Sequence, residues 1–432
     1  MKRAAGSLDA VPILLMLFAG MAGAEEFSFD ASEFEKKTFE FSGYVEQKEE
    51  GLKLRPGTPA YELAYPDKAE RGWLLRNTST VEASAKLNLD PVVADLRVQA
   101  SYASDPLVRT SNHPAVMEGG VRWSASPGLS VDVGKRVQRW GKGYAWTTVG
   151  FVERTKDSSD PSASREGYEM ASIEWTKSLS GAISTIGLTG LIVPTNDSMN
   201  DDFGQTKSLN PAARFYVLAM DTDIDLMWRG KGAKPASYGF DFSRNISTAL
   251  EVHGEWARTL DAPHSTVSAS GLIDSQTKDA TSWLLGLRYL TPGEVTWIGE
   301  YYHNGSGYSA GDLDDYYQFL DTALAPSAPA TLASKARSMA QSGYGRPNPG
   351  RDYLYVKASA GEPFGWLYGA ASLAAMSNLN DGSWQITPEI SYTGFTNVEL
   401  RARLVVLGGP SSSEFGGKLA SSRLELTARL FF

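Results

Sequence analysis

Apolar and polar residues alternate with a period of two along most of this chain. Between positions 81 and 89 the odd positions hold Val, Ala or Leu, whereas the even positions hold Glu, Ser, Lys or Asn. The last segment, 421–432, alternates in the same way. Because successive side chains of a β-strand point to opposite faces, this pattern predicts strands that have one apolar and one polar face.

Eighteen runs of this kind follow one another along the chain, and their connections differ in a regular way. Every second connection is tight and rich in Pro, Gly, Asn and Asp, as turn chemistry requires. Most of the others are long, namely 48–72, 105–113, 141–166, 194–211, 259–280, 304–350 and 408–420. The predicted strands are 36–47, 73–89, 92–104, 114–125, 128–140, 167–178, 180–193, 212–221, 223–231, 236–245, 248–258, 281–290, 293–303, 351–360, 366–378, 382–394, 397–407 and 421–432.

These features favour an all-β protein made of a single transmembrane antiparallel β-barrel of about 18 strands, within a range of about 16–18. Bacterial single-chain barrels have an even number of strands, short periplasmic turns and long extracellular loops. A large β-sandwich or a β-propeller is the soluble alternative. Aromatic residues near the strand ends, typical of girdles at membrane interfaces, favour the barrel, and we find no blade-like repeat.

The N-terminal 24 residues have the pattern of an export signal. Lys2 and Arg3 precede an apolar run at 11–20, and Ala22 to Ala24 forms a small-x-small motif. We therefore expect a cleaved signal peptide at 1–24 and a barrel over 25–432. The chain contains no cysteine, which excludes a lipid anchor at an N-terminal cysteine, disulfides and covalent haem attachment. Its net charge of −9 is spread along the sequence, so we expect no nucleic-acid partner.

Two segments resemble those of known families. The alternating strand that ends on Phe432 resembles the signal that the outer-membrane assembly machinery of Gram-negative bacteria reads. The segment 129–144 resembles the strand-and-loop signature of porin-superfamily channels of the alginate-export type, although Lys135 and Arg136 stand where Arg and Gln are expected. These resemblances imply an outer-membrane channel, a porin or an exporter, for hydrophilic solutes or a polymer.

In such a barrel the polar faces would line the lumen. The segment 141–166 is a candidate constriction loop, because it is long, carries charged residues of both signs and follows the strand that carries Arg136. We expect Arg136, Arg154 and Lys156 to favour anions there. Helical spacing of apolar residues in 304–350 predicts two short helices that form a lid, a plug or a docking surface. The candidate channel-lining residues are Arg97, Glu118, Arg122, Asp132, Arg136, Arg154, Lys156, Arg229, Glu251, His253, Glu255, Glu300, Arg401 and Arg403.

Two other functions remain open. The first is a barrel scaffold that sheathes a partner, such as a periplasmic lipoprotein or a multihaem cytochrome. The second is an outer-membrane hydrolase, which is disfavoured because the candidate acid–base group Glu251, His253 and Glu255 would face the lumen and not the lipid. We expect no enzyme activity, no catalytic or cofactor-binding residues, no cofactor and no metal. The segment 221–225 resembles the start of a calcium loop, but Gly232 stands where the bidentate Glu is needed.

The expected partners follow from the predicted location in the outer membrane. They are the membrane lipid and lipopolysaccharide, the assembly machinery through the strand that ends on Phe432, and a periplasmic or extracellular protein.

Overall fold

The computed structural model of the chain describes residues 37–65, 72–104, 109–111, 114–204 and 206–432. The predicted signal peptide at 1–24 lies outside these residues. Eighteen strands form the wall: β1 Phe39–Leu54, β2 Trp73–Leu89, β3 Val92–Ser104, β4 Ala115–Ser126, β5 Leu129–Arg136, β6 Tyr168–Ser178, β7 Ile183–Ile192, β8 Pro211–Ala219, β9 Thr222–Arg229, β10 Ser237–Asn245, β11 Leu250–Val267, β12 Ile273–Leu290, β13 Val295–His303, β14 Asp352–Gly361, β15 Gly369–Asn378, β16 Trp384–Phe395, β17 Val398–Gly408 and β18 Ala420–Phe431. A further three-residue strand, Arg109–Ser111, pairs with the end of β3.

The sheet closes on itself, which confirms the predicted antiparallel barrel. Each strand of the wall pairs with its neighbours in sequence, and β1 pairs antiparallel with β18 from Tyr44↔Phe431 to Leu54↔Ala420. Closure removes the unpaired strand edges that an open sheet would expose.

The two faces of the wall differ as the alternation predicts. Apolar side chains such as Phe41, Leu285 and Leu373 point outward and are exposed by 59%, 55% and 52%. Polar and charged side chains point inward. A continuous exposed apolar face of this extent marks contact with another apolar phase. Within the described residues, no helix has the length and apolar character needed to cross a membrane.

Several strands are longer or shorter than predicted. β1 continues to Leu54, and β11 and β12 stay paired as far as Val267↔Ile273, so the predicted loop 259–280 is mostly a strand hairpin. Where this hairpin extends past the apolar outward face of the wall, both of its faces are polar. The sequence there lacks the alternation that predicts a strand. β5 ends at Arg136 and not at 140.

Long connections gather at one end of the barrel, which we call the loop end, and short turns at the other, the turn end. The loop end carries helices α1 Pro59–Ala64, α2 Ala310–Ala323 and α3 Ala330–Ala340, and the 3-10 turn Gly343–Gly345. A second 3-10 turn, Pro363–Gly365, lies at the turn end. The rings of Tyr308 and Tyr316 stack on Tyr344, with centroids 3.8 and 4.1 Å away. These rings and the tip of the β11–β12 hairpin form one apolar cluster over the loop end.

Candidate functional site

The segment 137–167 leaves β5 and returns to β6, and we call it the crossing loop because it spans the lumen. The Nζ of Lys142 lies 3.0 Å from Asp225 on β9. Further along, Asp160 accepts a hydrogen bond of 2.8 Å from Arg403 on β17. Seven strands lie between β9 and β17 on one side of the eighteen-strand ring and nine on the other, so these two contacts lie on roughly opposite sides of the barrel.

Glu255 on β11 binds the first half of the crossing loop. Its side chain is 3% exposed and accepts hydrogen bonds from the backbone N–H groups of Lys142, Gly143 and Thr148, at 2.7, 2.7 and 2.6 Å. The hydroxyls of Thr147 and Thr148 donate to the same carboxylate, each at 3.1 Å. A single buried carboxylate therefore satisfies five donors of the loop, and these donors in turn stabilise its charge.

Glu300 on β13 also binds the first half of the crossing loop, next to Glu255. This carboxylate is 1% exposed, and it accepts hydrogen bonds from the backbone N–H groups of Tyr144 and Ala145, the second at 2.8 Å. The Nε2 of His253 lies 3.0 Å from Oε1, the same oxygen that accepts from Tyr144. Together Glu255 and Glu300 form what we call the carboxylate clamp.

Gly141 shows why this turn needs glycine. Its φ is +101°, in the region that residues with a Cβ seldom adopt. A Cβ at this position would lie 2.2 Å from the hydroxyl of Thr147 and 2.6 Å from a carboxylate oxygen of Glu255. The close approach of the loop to the clamp therefore depends on the missing side chain.

Apolar side chains add to the clamp. Trp146 is 6% exposed and packs among Tyr353, Tyr355 and Met376 of the wall. Its indole stacks on the ring of Tyr302, with centroids 5.2 Å apart. The indole N–H donates to Asn348 of the loop-end segment at 2.9 Å, so the crossing loop also contacts the structure that covers the loop end.

Before the backbone N–H of Gly167 donates to the carbonyl of Met117 on β4, side chains hold the second half of the crossing loop to the wall. Arg403 bonds both Asp160 and Glu389, at 2.8 and 2.6 Å. Arg97 donates to the hydroxyl of Ser164 at 2.6 Å. Burial would raise the pKa of Asp160, but the hydrogen bond and charge of Arg403 outweigh it and lower that pKa below its ordinary value.

Glu153 lies in the middle of the loop and is nearly buried. Its Oε2 forms an ion pair of 2.6 Å with Arg165, whereas its Oε1 has no hydrogen-bond partner among the described residues. Burial raises the pKa of Glu153 to about 7, although Arg165 and Lys156 lie beside it. This carboxyl group therefore changes charge near neutral pH.

Two cavities lie on either side of the crossing loop. The loop-side cavity has a volume of about 950 Å³ and is lined by Lys156, Lys234 and Arg346, among others. The turn-side cavity has a volume of about 530 Å³ and is lined by Arg139, Arg288 and again Lys156. The side chain of Lys156 thus borders the space on both sides of the loop.

The structure separates the candidate lining residues into two groups. Lys156, His253, Glu255 and Glu300 come together where the crossing loop meets β11 and β13, and Glu251 lies on the same face of β11. The others form ion pairs or hydrogen bonds elsewhere on the inner wall or in the loops. Arg229 donates to the carbonyl oxygens of Phe151 and Pro235. The remaining members of that group are Arg97, Glu118, Arg122, Asp132, Arg136, Arg154 and Arg403, with Arg401 beside them on β17.

Sequence reasoning missed Lys234 and Arg346 as lining residues. Both lie in loops at the loop end, where no alternation assigns a side chain to a face. Among the described residues, no group of three or more His, Asp or Glu side chains is arranged to hold a metal ion.

Comparisons with known proteins give only distant likeness. No family model matches the chain, and no curated protein matches it. A variant of the Rhodopseudomonas blastica porin aligns with a TM-score of 0.44 and 10% identity, over 91% of this chain and 100% of that one. A triple mutant of the same porin gives 0.45 and 9% over the same shares. At these TM-scores the likeness says nothing about function, and the fold assignment rests on the strand pairing described above.

Proposed function

We propose that the chain is an outer-membrane channel for hydrophilic solutes, in which the crossing loop narrows the lumen. A barrel of eighteen strands is too wide for its own side chains to fill, and its outward face is apolar. The observation that carries the proposal is the crossing loop itself. It is bound to the wall on opposite sides of the lumen, with cavities on both sides of it.

The orientation and the partners follow from this proposal. The turn end would face the periplasm and the loop end the exterior, as in other bacterial barrels. Lipid would cover the apolar outward face. The backbone of Phe432 exchanges two hydrogen bonds of 3.0 Å with Gly43, so the strand that the assembly machinery would read also completes the wall.

The crossing loop weighs against the other interpretations. A barrel that sheathes a partner protein would need the middle of the lumen, which the loop occupies. An exported polymer would have to thread beside the same loop. The resemblance of 129–144 to alginate-export channels is supported by no family match, so we propose small hydrophilic solutes as the permeants.

Planar-bilayer recording tests the proposal. Arg136 and Tyr168 pair across β5 and β6, so a short Gly-Ser linker can replace residues 138–166 without moving either strand. We expect stepwise conductance from the wild-type protein and a several-fold larger step from this variant. A matched control shortens the hairpin tip at 268–272, which lies outside the lumen contacts. Folded wild-type protein that conducts no ions, or equal conductance of both proteins, would contradict the proposal.

A further inference from the structure

We propose that the loop-side cavity binds the oxyanion group of a solute, a carboxylate, phosphate or sulfate, before the solute passes the crossing loop. This inference rests on the proposed channel function and adds a substrate class to it. Two observations support it. Cationic side chains line the cavity, and the acidic side chains that line the same cavity are paired with other cations.

Three cations of the cavity form no ion pair within the part of the chain that the structure describes, although Glu153 and Glu255 lie near one of them, Lys156. Lys156 donates to the backbone carbonyls of Gly143 and Trp146. The Nζ of Lys234 lies 4.0 Å above the ring of Phe203, and no ion pair involves it. The exposed guanidinium of Arg346 forms no ion pair either, within the same described residues.

The acidic groups of the cavity are already engaged. Asp202 forms an ion pair with Arg154, and Glu153 forms one with Arg165. These pairs leave Lys234 and Arg346 as the excess charge, because Glu153 and Glu255 also lie near Lys156. The whole chain carries a net charge of −9, so a positive cavity does not simply reflect its composition.

The environment of Lys234 adds a physical reason for an anion to bind. Burial, with a contribution from Arg229, lowers the pKa of Lys234 to about 8. A partly buried ammonium group without a counterion is costly, and an oxyanion placed between Lys234 and Arg346 would lower that cost. The charge-assisted hydrogen bonds that these two side chains can donate suit any of the three oxyanion groups.

Calorimetric titration of the full chain in detergent tests this site without depending on conductance. Sulfate, phosphate and citrate are titrated separately at pH 7, so that the inorganic and carboxylate sources are distinguished. We expect saturable binding of at least one of them, and at least tenfold weaker binding by K234M/R346M. The control variant K231M/R337M removes two exposed charges that lie outside the cavity lining, and it should bind like wild type.

The outcomes separate the two proposals. Absence of saturable binding by folded wild-type protein, or equal binding by K234M/R346M, overturns the anion site. If K234M/R346M fails to fold, R346M alone serves, because Arg346 is exposed and should weaken binding without affecting assembly. Saturable anion binding by a folded protein that conducts no ions would support the anion site and contradict the proposed channel function.

Discussion

The two halves of the crossing loop are attached to the wall by different chemistry. In residues 142–148, backbone N–H groups donate to the two buried carboxylates of the clamp. In residues 156–166, the links to the wall are ion pairs and hydrogen bonds between side chains, such as Asp160 with Arg403 and Ser164 with Arg97. The first half is therefore fixed in its backbone conformation, and the second half is fixed only at single side chains.

The energies of these contacts differ accordingly. A buried donor that loses its acceptor costs about 1–3 kcal/mol. A partly exposed ion pair contributes about 0–1 kcal/mol. We infer that the first half of the loop is a rigid support and that the second half is the part able to shift when a solute passes.

The largest effect should come from removing the clamp. E255A/E300A leaves several buried N–H groups without acceptors, so we expect the first half of the loop to detach and the conductance to rise several-fold. Trypsin should also cut after Lys142, a position that the clamp protects in the wild type. The control is E251A, because Glu251 lies on the same face of β11 and accepts from Ser243 and not from the loop. An uncut loop with normal conductance would show that the clamp does not hold it.

A smaller effect is expected from the second half of the loop. D160N removes the charge that pairs with Arg403, but Arg403 keeps its 2.6 Å contact with Glu389. We expect nearly unchanged mean conductance and more frequent fluctuations of the open level, in bilayer recordings. D157N is the matched control, since Asp157 bonds Ser159 within the loop. If D160N opened the channel as far as the clamp variant, the two halves would not differ.

Glu153 lies between the two halves and should make selectivity depend on pH. Its pKa is raised to about 7, so it is ionised above that pH and neutral below it. Protonation leaves the charges of Arg165 and Lys156 less compensated, with Glu255 as the remaining acidic neighbour. Reversal potentials in a salt gradient should therefore show stronger anion preference at pH 5.5 than at pH 8.5. E153Q should lose most of this pH response, and a full wild-type response in E153Q would assign the effect to another group that titrates in this range, such as Lys234.

The sequence predicts the wall far better than the contacts inside it. Strand alternation and turn residues are local signals, and they predicted all eighteen strands of the closed barrel. The strands of the β11–β12 hairpin beyond Thr259 are not predicted, because polar residues on both faces leave no alternation to detect. The carboxylate clamp is not predicted from the sequence for another reason. Glu255 and Glu300 bind backbone groups more than 100 positions away, and a backbone N–H has no residue type that a pattern could reveal.

The smallest effect on ion selectivity is expected from Arg136 and Arg154, although the sequence alone predicts a large effect for them. Arg136, Arg154 and Lys156 were expected to act together on anions, but their surroundings differ. Arg136 is held by Asp132 at 2.7 Å and by Asp95, and Arg154 by Asp202 and Glu166.

Because paired charges add little net field, R136Q/R154Q should barely move the reversal potential. K156M should shift it toward cations, because Lys156 forms no ion pair among the described residues and the nearby Glu153 and Glu255 would keep their negative charge without it. That shift should shrink in 1 M salt, where the Debye length is about 3 Å. A shift in R136Q/R154Q as large as that in K156M would mean that the ion pairs of Arg136 on the wall or of Arg154 in the loops open, so that these charges also act on permeant ions.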